Sequence, residues 1–481
     1  MNIWSSSFSI LSILNMVLAI AVIFIERRNV GNTWAWLMVL LFLPGIGFIL
    51  YLMFGQNISK RKIYKIPKEQ HENMNHMVRA QQQLFREGQV KFHDTSITEY
   101  QDMIYMNLSA AKSILTQDND ITIYTDGHEK FDALIESILQ AEHHVHVMYY
   151  IVRDDHLGRR LLDALSLKAR EHVHVRFLYD DIGSAGLSKD FFKPLIEAGG
   201  QVAAFFPSRI PYVNFRLNYR NHRKLAIIDG TIGFIGGFNV GDEYLGLDSR
   251  YGYWRDTHLK VNGSSVFQMQ AQFIMDWDLA STQRLTEMGQ YFVPVERSGH
   301  NAMQIVSSGP NSTQEQIKNA CIKLINSAKE TLFLQSPYFV PDETMQNALR
   351  MAILSGVDVR IMIPAVPDHK IVHLATYSYL GELLKIGAKC YLYQKGFLHA
   401  KTMVADGKVA TVGTANMDIR SFKLNFEVNA FLYGGEAPSK LHAIFEEDME
   451  DSIRLTREMY EGRPRRHKIG ESVTRLISPI L

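Results

Sequence analysis

The sequence predicts an α/β protein built from two repeated halves, each a β-sheet unit flanked by helices, behind two N-terminal membrane-spanning helices. Three observations lead there: a phrase that occurs twice at a fixed interval, strand-like runs that alternate with helix-like runs, and two long uncharged apolar stretches near the first residue. The 481 residues suffice for several domains and a large core, which excludes a small disulfide scaffold or a single small module. Charge is balanced, with 51 Lys and Arg against 50 Asp and Glu, and 21% of residues are charged while 46% are hydrophobic. Wholesale disorder and a globally basic nucleic-acid coat are therefore excluded, and any anion site must be local. Cys321 and Cys390 lie far apart without metal-binding spacing, so they favour a reducing compartment and set cysteine chemistry aside.

From Met1 to Ile25 no side chain is charged, and residues 8–25 are almost wholly apolar. After Glu26, Arg27 and Arg28 comes a second uncharged stretch, residues 29–59, with its apolar centre at 34–54. At about 1.5 Å per residue each can cross a thin hydrocarbon core, so residues 1–58 are expected to hold two spans, about 8–25 and 34–54. A cleaved signal peptide is the rival for the first stretch, but it wants a basic start and Met1–Ser7 has no Lys or Arg. Lys60, Arg61, Lys62, Lys65 and Lys68 follow the second stretch, against two arginines between the stretches. The positive-inside rule then puts both termini in the cytoplasm, with the remaining residues at the inner face of the cell membrane. Pro44, Gly45 and Gly47 suggest a kink or a tightly packed helix pair in the second span. Residues 59–105, polar and rich in Gln, His, Asn and Met, read as a helical linker.

Beyond the linker, strand-like runs (145–152, 173–179, 332–335, 357–363) alternate with helix-like runs (130–140, 159–170, 316–329, 343–354). The phrase HRKLAIIDGTIGFIGGFN at 222–239 returns as HAKTMVADGKVATVGTAN at 399–416. His222 and His399, Lys224 and Lys401, Asp229 and Asp406, Gly236 and Gly413, and Asn239 and Asn416 are each 177 residues apart. A lone His-x-Lys-x4-Asp match is weak, but a second copy with downstream Gly and Asn in register is strong, because chance matches share no period. The halves are placed at 106–292 and 293–481.

Asp229-Gly230 and Asp406-Gly407 are hairpin signals between two β-rich runs. Side chains alternate along a strand, so His222 and Lys224 share a face, as do His399 and Lys401. Asp229 and Asp406, the third members of the catalytic motifs, fall on the opposite face and read as turn or scaffold residues. The small residues that follow let backbone amides approach an anion, and Asn239 and Asn416 can cap a helix or donate to phosphate oxygen.

A His and a Lys from each copy, gathered at one site, suit a phosphodiester. One neutral imidazole attacks phosphorus to give a phosphohistidine while the other, protonated, supplies the departing alkoxide with a proton; the roles then reverse. Acid and base help of this kind is worth roughly 3 to 5 kcal/mol, and the paired ammonium groups stabilise charge on the nonbridging oxygens. Neither a metal nor another cofactor is required. Each histidine also wants a carboxylate on its other nitrogen, and the candidates are Asp256, 34 residues after His222, and Glu427, 28 residues after His399.

Upstream of the first motif, Arg209, Arg216, Arg220 and Arg223 are interleaved with Tyr212, Phe215 and Tyr219, and no acid interrupts them. Arg216, Arg220 and Arg223 are candidates for gripping lipid headgroups, against a solvated basic loop or a nucleic-acid grip. His143, His144, His146, His172 and His174 invite a metal reading, but no nearby Cys or acidic set completes one.

The duplicated motifs resemble the phospholipase D superfamily, and RNHRKLAIIDG, GGFNVGDEYLG, YWRDTHL, SPYFVPDE and RLISPIL, with the paired N-terminal stretches, resemble its bacterial cardiolipin synthases over nearly the whole chain. That resemblance implies two phospholipase D-type domains related by a pseudo-twofold axis. It implies transfer of a phosphatidyl group between two phosphatidylglycerol molecules to give cardiolipin and glycerol, reversibly, through a phosphatidyl-histidine. His222 is then the expected nucleophile and His399 the acid and base, with Lys224, Lys401, Asn239 and Asn416 on the phosphoryl oxygens and Asp256 and Glu427 orienting the histidines. Phosphatidylglycerol and cardiolipin in the membrane are the implied partners, with no nucleotide and no nucleic acid. A hydrolytic phospholipase D or another headgroup-exchange enzyme is the alternative, and a nucleic-acid phosphodiesterase a more distant one.

Overall fold

The structure, a computed structural model, describes residues 13, 15–21, 30–43, 45–51, 64, 68–188, 190–207, 218–283, 285, 288–294 and 299–477. The first half carries β1 (Thr116–Tyr124), β2 (His144–Tyr149), β3 (His174–Asp180), β4 (Gln201–Phe205), β5 (Leu225–Ile228), β6 (Ile232–Gly236), β7 (Tyr253–Arg255) and β8 (His258–Asn262). The second carries β9 (Asn301–Ser308), β10 (Thr331–Gln335), β11 (Phe339–Val340), β12 (Asp358–Pro364), β13 (Lys389–Tyr393), β14 (Gly396–Leu398), β15 (Thr402–Ala405), β16 (Val409–Gly413), β17 (Met417–Asp418), β18 (Glu427–Tyr433) and β19 (Ser452–Leu455).

Fifteen of these strands form one sheet, in the order β19-β13-β12-β10-β15-β16-β18-β9-β1-β8-β6-β5-β2-β3-β4. Outward from the antiparallel β1–β9 junction the two halves have the same order, β1-β8-β6-β5-β2-β3-β4 and β9-β18-β16-β15-β10-β12-β13. The expected repeat is thus a repeat of topology as well as of sequence, and the 177-residue offset carries β5 onto β15 and β6 onto β16 residue for residue.

Both faces of the sheet are covered, which is why its strands read as nearly continuous apolar runs. Leu225 and Ile227 of β5 join a core with Val266, Met269, Phe273 and Trp277 of the helix Val266–Ala280. Ala226 and Ile228 face the other way, onto the helices Gly127–Leu139 and His156–Arg170. In the second half Gln316–Ser327 and Glu343–Leu354 cover one face and Glu436–Glu450 the other. Caps fix where several of these helices begin: Asp126 accepts from the amide of His128 at 2.8 Å, Asp155 from Gly158 at 3.0 Å and Asp342 from Met345 at 3.0 Å.

The stretch expected to be a linker contributes to the core. It forms the helix Lys68–Arg86 and, further on, the turn Thr95–Tyr100 and helix Gln101–Ala111, whose Ile97, Tyr100, Met103 and Ile104 are buried under the second half. Gln81 of the stretch donates to the Leu115 carbonyl at 2.9 Å and accepts from the Leu115 amide at 2.8 Å, so its polar composition concealed partnered groups.

Among the described residues no helix is long and apolar enough to cross a membrane. Residues 15–21 are helical, and the second expected span is two helices, Val30–Phe42 and Ile46–Leu50, parted at Gly45 with φ 79°. The break falls where Pro44 and the glycines lie, and the stretches meet: Asn15 donates to the Leu40 carbonyl at 2.6 Å. The rest of residues 8–25 and 34–54 lies outside the described residues, as do Arg209 and Arg216.

Candidate active site

Each motif histidine lies just ahead of its strand, on a segment that crosses to the other half. Asn221 bridges to Phe426, the His222 amide donates to the Phe426 carbonyl at 2.9 Å, and the Phe426 amide donates to the Arg220 carbonyl at 2.9 Å. Correspondingly, β14 pairs parallel with β7, and the His399 amide donates to the Arg255 carbonyl at 2.7 Å. Each motif is therefore seated on the segment that carries the opposite half's carboxylate. His222 Nδ1 lies 2.9 and 3.0 Å from the Glu427 oxygens, and His399 Nδ1 lies 2.6 Å from Asp256 Oδ2. Counting along the chain set Asp256 after His222 and Glu427 after His399; the fold exchanges the partners.

Both carboxylates are fully buried and held by further donors. Thr414 Oγ1 donates to Glu427 at 2.6 Å and Asn425 Nδ2 at 3.1 Å, while the Thr257 amide donates to Asp256 at 2.7 Å. Gly237 is required by this packing, since a Cβ there would stand 2.0 Å from Asp256 Oδ1. The expectation that these small residues free amides for an anion is corrected in part: the Gly237 amide donates to the Thr257 carbonyl, and those of Thr414 and Ala415 to the Asn429 side chain. Sequence reasoning missed Thr414 and Asn425, and also Tyr150 and Trp254, whose rings lie 4.9 Å from His222 and 5.1 Å from His399. Only the TAN and NFE segments beside the motifs hinted at the first two.

The two lysines are buried, and each ammonium donates to the carbonyl of its own histidine, Lys224 to His222 at 2.7 Å and Lys401 to His399. Burial pushes Lys224 down to about 7 and Lys401 down to about 8, against the pull of Glu427 and Asp256. Lys401 itself lowers Lys224, so the two halves' cations share one electrostatic site. Burial also lowers both histidines, His399 to about 4, while Glu427 and Asp256 are held below their ordinary values despite burial by the lysines and histidines beside them. The unliganded site thus holds neutral imidazoles with carboxylates on Nδ1, which presents Nε2 as a lone pair.

Asp229 and Asp406 occupy the hairpin turns at φ 52° and 54°. The Asp229 carboxylate accepts from the amides of Glu142, His143 and His144 at 2.8–2.9 Å, and Asp406 from those of Lys329, Glu330 and Thr331 at 2.7–2.9 Å. They tie the hairpin to the entry of β2 and β10, about 20 Å from the motif histidines at about 3.3 Å per residue. These third members of the catalytic motifs therefore stand as turn residues, on the side of the strand that parity set apart from the histidines and lysines.

Asn239 accepts from the Ile151 amide at 3.1 Å and donates to the Tyr244 hydroxyl at 3.2 Å; Asn416 Oδ1 is buried without a partner among the described residues. Two headgroup candidates are corrected. Arg220 is buried against Asp180 at 3.3 Å, and Arg223 Nη1 donates to both Asp276 oxygens at 2.8 and 2.7 Å while its Nε and Nη2 donate to the Glu427 and Ser308 carbonyls. A buried guanidinium needs such partners, so these arginines brace the crossing instead of facing lipid. The histidine run is a packed cluster in which His144 and His146 share Gln270, His146 stacks on Phe273, and Arg176 lies 3.1 Å from His146 Nε2.

The family described as cardiolipin synthase, PLD-like domain, matches residues 134–277 and 321–449, and the phospholipase D-nuclease N-terminal family matches residues 13–56. The chain is 51% identical over 473 residues to a cardiolipin synthase of Listeria monocytogenes serotype 4b, covering 98% of both chains. It is 49% identical over 482 residues to the major cardiolipin synthase ClsA of Bacillus subtilis, covering 100% of each. The crystal structure of phosphatidylserine synthase from Haemophilus influenzae shares the fold, with a TM-score of 0.59 at 15% identity over 79% of this chain and 100% of that one. With both motif copies inside the matched regions and full-length relatives at about half identity, this chain belongs to the cardiolipin synthase family of the phospholipase D superfamily.

Proposed function

We propose that the chain transfers a phosphatidyl group from one phosphatidylglycerol to another, releasing glycerol and forming cardiolipin. The observation that carries this reading is the pair of crossed dyads, His222 with Glu427 and His399 with Asp256, beside two buried lysines. The negative charge of an arriving phosphodiester raises the His399 pKa, so that Nε2 of His399 takes up a proton from solvent as the substrate binds. His222 Nε2 then attacks phosphorus, and His399 protonates the departing glycerol oxygen. His399 then takes the proton of the incoming lipid hydroxyl, which displaces His222 from phosphorus. Lys224 and Lys401 stabilise charge on the nonbridging oxygens, and an arriving phosphodiester raises both lysines' pKa and keeps them cationic. The Asn239 amide donates to the Tyr244 hydroxyl and the Asn416 amide to Asp418, so each gives up that bond when its Nδ2 turns to a phosphoryl oxygen.

Water at about 55 M competes with the second lipid for the phosphohistidine, so transfer needs a site shielded from solvent. The motif histidines are only 8% and 7% exposed, in keeping with that need. We place the enzyme on the cell membrane through two N-terminal spans with the body on the cytoplasmic side. The uncharged stretches, the basic residues after them and the family match over residues 13–56 support that topology.

The test is incubation of the purified chain in phosphatidylglycerol vesicles. Glycerol released in step with cardiolipin is expected, with near-complete loss in His222→Ala and in His399→Ala. Accumulation of phosphatidic acid without cardiolipin makes the chain a hydrolase, and cleavage of labelled DNA with no lipid product rejects the lipid reading.

A further inference from the structure

The helix Arg465–Ile477 is packed with its polarity reversed. Glu471 and Thr474 are buried at 4% and 6% exposure, and Glu471 is neutralised by Arg463 at 2.5 Å. Ile469, Val473 and Leu476, spaced by four and three residues and so on one face, are 65%, 56% and 82% exposed. A surface helix of a water-soluble body ordinarily does the opposite. Arg465 and Arg466 are exposed in the first turn of the same helix, and Glu471 is its one acidic residue.

The location of this face is as informative as its composition. The helix runs alongside Lys370–Lys385 in the same direction: a Cβ on Gly470 would lie 3.1 Å from a Leu374 methyl, and Arg475 meets Glu382 at 2.5 Å. Both helices therefore start at the same end. That end adjoins the turn carrying Asp368, which accepts from the Tyr338 hydroxyl and is close enough to raise the Lys401 pKa. Val366 and Ile371, on either side of Asp368, are exposed at 57% and 52%. Exposed apolar side chains thus stand both beside Asp368 and on the reversed helix, whose first-turn arginines lie at that same end.

We propose that the Ile469–Val473–Leu476 face is a second membrane contact, inserted in the interfacial region of an anionic bilayer, with Arg465 and Arg466 on lipid phosphates. It holds the catalytic mouth against the leaflet that supplies both lipids. The two arginines select a bilayer of anionic lipid over an uncharged apolar partner, and the reversed amphipathicity matches the interface between headgroups and acyl chains. This inference rests on the membrane reading of the N-terminal stretches.

The native thiols of Cys321 and Cys390 are fully buried, so a single exposed cysteine can be labelled selectively. The full-length chain with Val473→Cys, carrying an environment-sensitive fluorophore, is reconstituted in vesicles of equimolar phosphatidylglycerol and phosphatidylcholine and in phosphatidylcholine alone. A blue shift and quenching by lipids spin-labelled near the headgroup are expected in the anionic vesicles. Both are expected to weaken several-fold in phosphatidylcholine alone and in the Arg465→Glu/Arg466→Glu variant. Ile469→Glu/Val473→Glu is expected to lower turnover of bilayer phosphatidylglycerol about tenfold while leaving turnover of detergent-dispersed phosphatidylglycerol within about twofold. A chain that floats with anionic vesicles while its label stays water-exposed overturns the contact and spares the N-terminal anchor. Thiol cross-linking between two copies at position 473, with no lipid quenching, assigns the face to self-association and overturns it as well. A chain that does not float with vesicles refutes the anchor and takes this proposal with it.

Discussion

The crossing of the carboxylates yields a prediction about which variants fail alike. In Glu427→Gln the side chain keeps its shape but only one acceptor: an oxygen left to His222 Nδ1 and Thr414 Oγ1, at 2.9 and 2.6 Å, turns the NH2 against the Asn425 amide that donates at 3.1 Å to the other oxygen, and the reverse orientation leaves His222 and Thr414 facing a donor. The lost negative charge also removes what opposes burial at His222 and Lys224. A charge-assisted bond is worth about 1.5–3 kcal/mol, and stranding a wrong imidazole tautomer adds to it. About 3 to 5 kcal/mol is expected in all, or about 10² to 10⁴ in turnover. Asp256→Asn should lose a similar factor through His399. The two are told apart with a phosphatidyl ester of an acidic phenol, whose departure needs no proton donor. One class forms the phosphohistidine and stalls, giving a burst of phenol equal to the enzyme present; the other forms none. With His222 as the nucleophile, Asp256→Asn and His399→Ala fall in the burst class, and Glu427→Gln and His222→Ala in the silent one. If His399 attacks, the classes exchange labels but keep their members. Asp256→Asn behaving like His222→Ala would refute the crossed wiring.

Four other outcomes follow from the same geometry. Because Lys224 and Lys401 are depressed to about 7 and about 8, the unliganded site loses its ammonium charges as pH rises through that window; kcat/KM is expected to fall there, and Lys224→Arg to move the fall upward. An alkaline limb unchanged in Lys224→Arg would contradict this. Asp229→Asn replaces three charge-assisted amide bonds at a turn whose positive φ Asn tolerates, so it should cost about 1–3 kcal/mol in urea unfolding while kcat per folded molecule stays within about twofold. Asp276→Ala strands the Arg223 guanidinium and should cost about 3–5 kcal/mol, read as loss of resistance to proteolysis. Gly237→Ala pushes a methyl onto Asp256 and should share the phenol-burst behaviour of Asp256→Asn; wild-type turnover would show that the carboxylate can move without consequence.

Much of the fold was legible because it is local. β2 and the expected 145–152 run, β12 and 357–363, and the helix Glu343–Leu354 agree within a few residues, since apolar period and Asp caps are written in neighbouring positions. The parity that set Asp229 apart from His222 and Lys224 was likewise local. The readings of Arg220, Arg223 and the 59–105 stretch did not carry over, because a charge or amide looks solvated in sequence until a remote partner is known. For Arg223 that partner is Asp276, 53 residues away, and for Gln81 it is the Leu115 backbone.

By itself the sequence determined that two copies of one His-Lys unit exist at a fixed spacing, that both sit on hairpins of an α/β body, and that phosphoryl chemistry suits them. Only the tertiary structure decided how the copies are joined. The motif segments add in parallel to strands of the opposite half, so each imidazole meets the other half's carboxylate. Spacing along a chain reports what is near in sequence, whereas a buried ion pair is selected by which segments the sheet brings together in space.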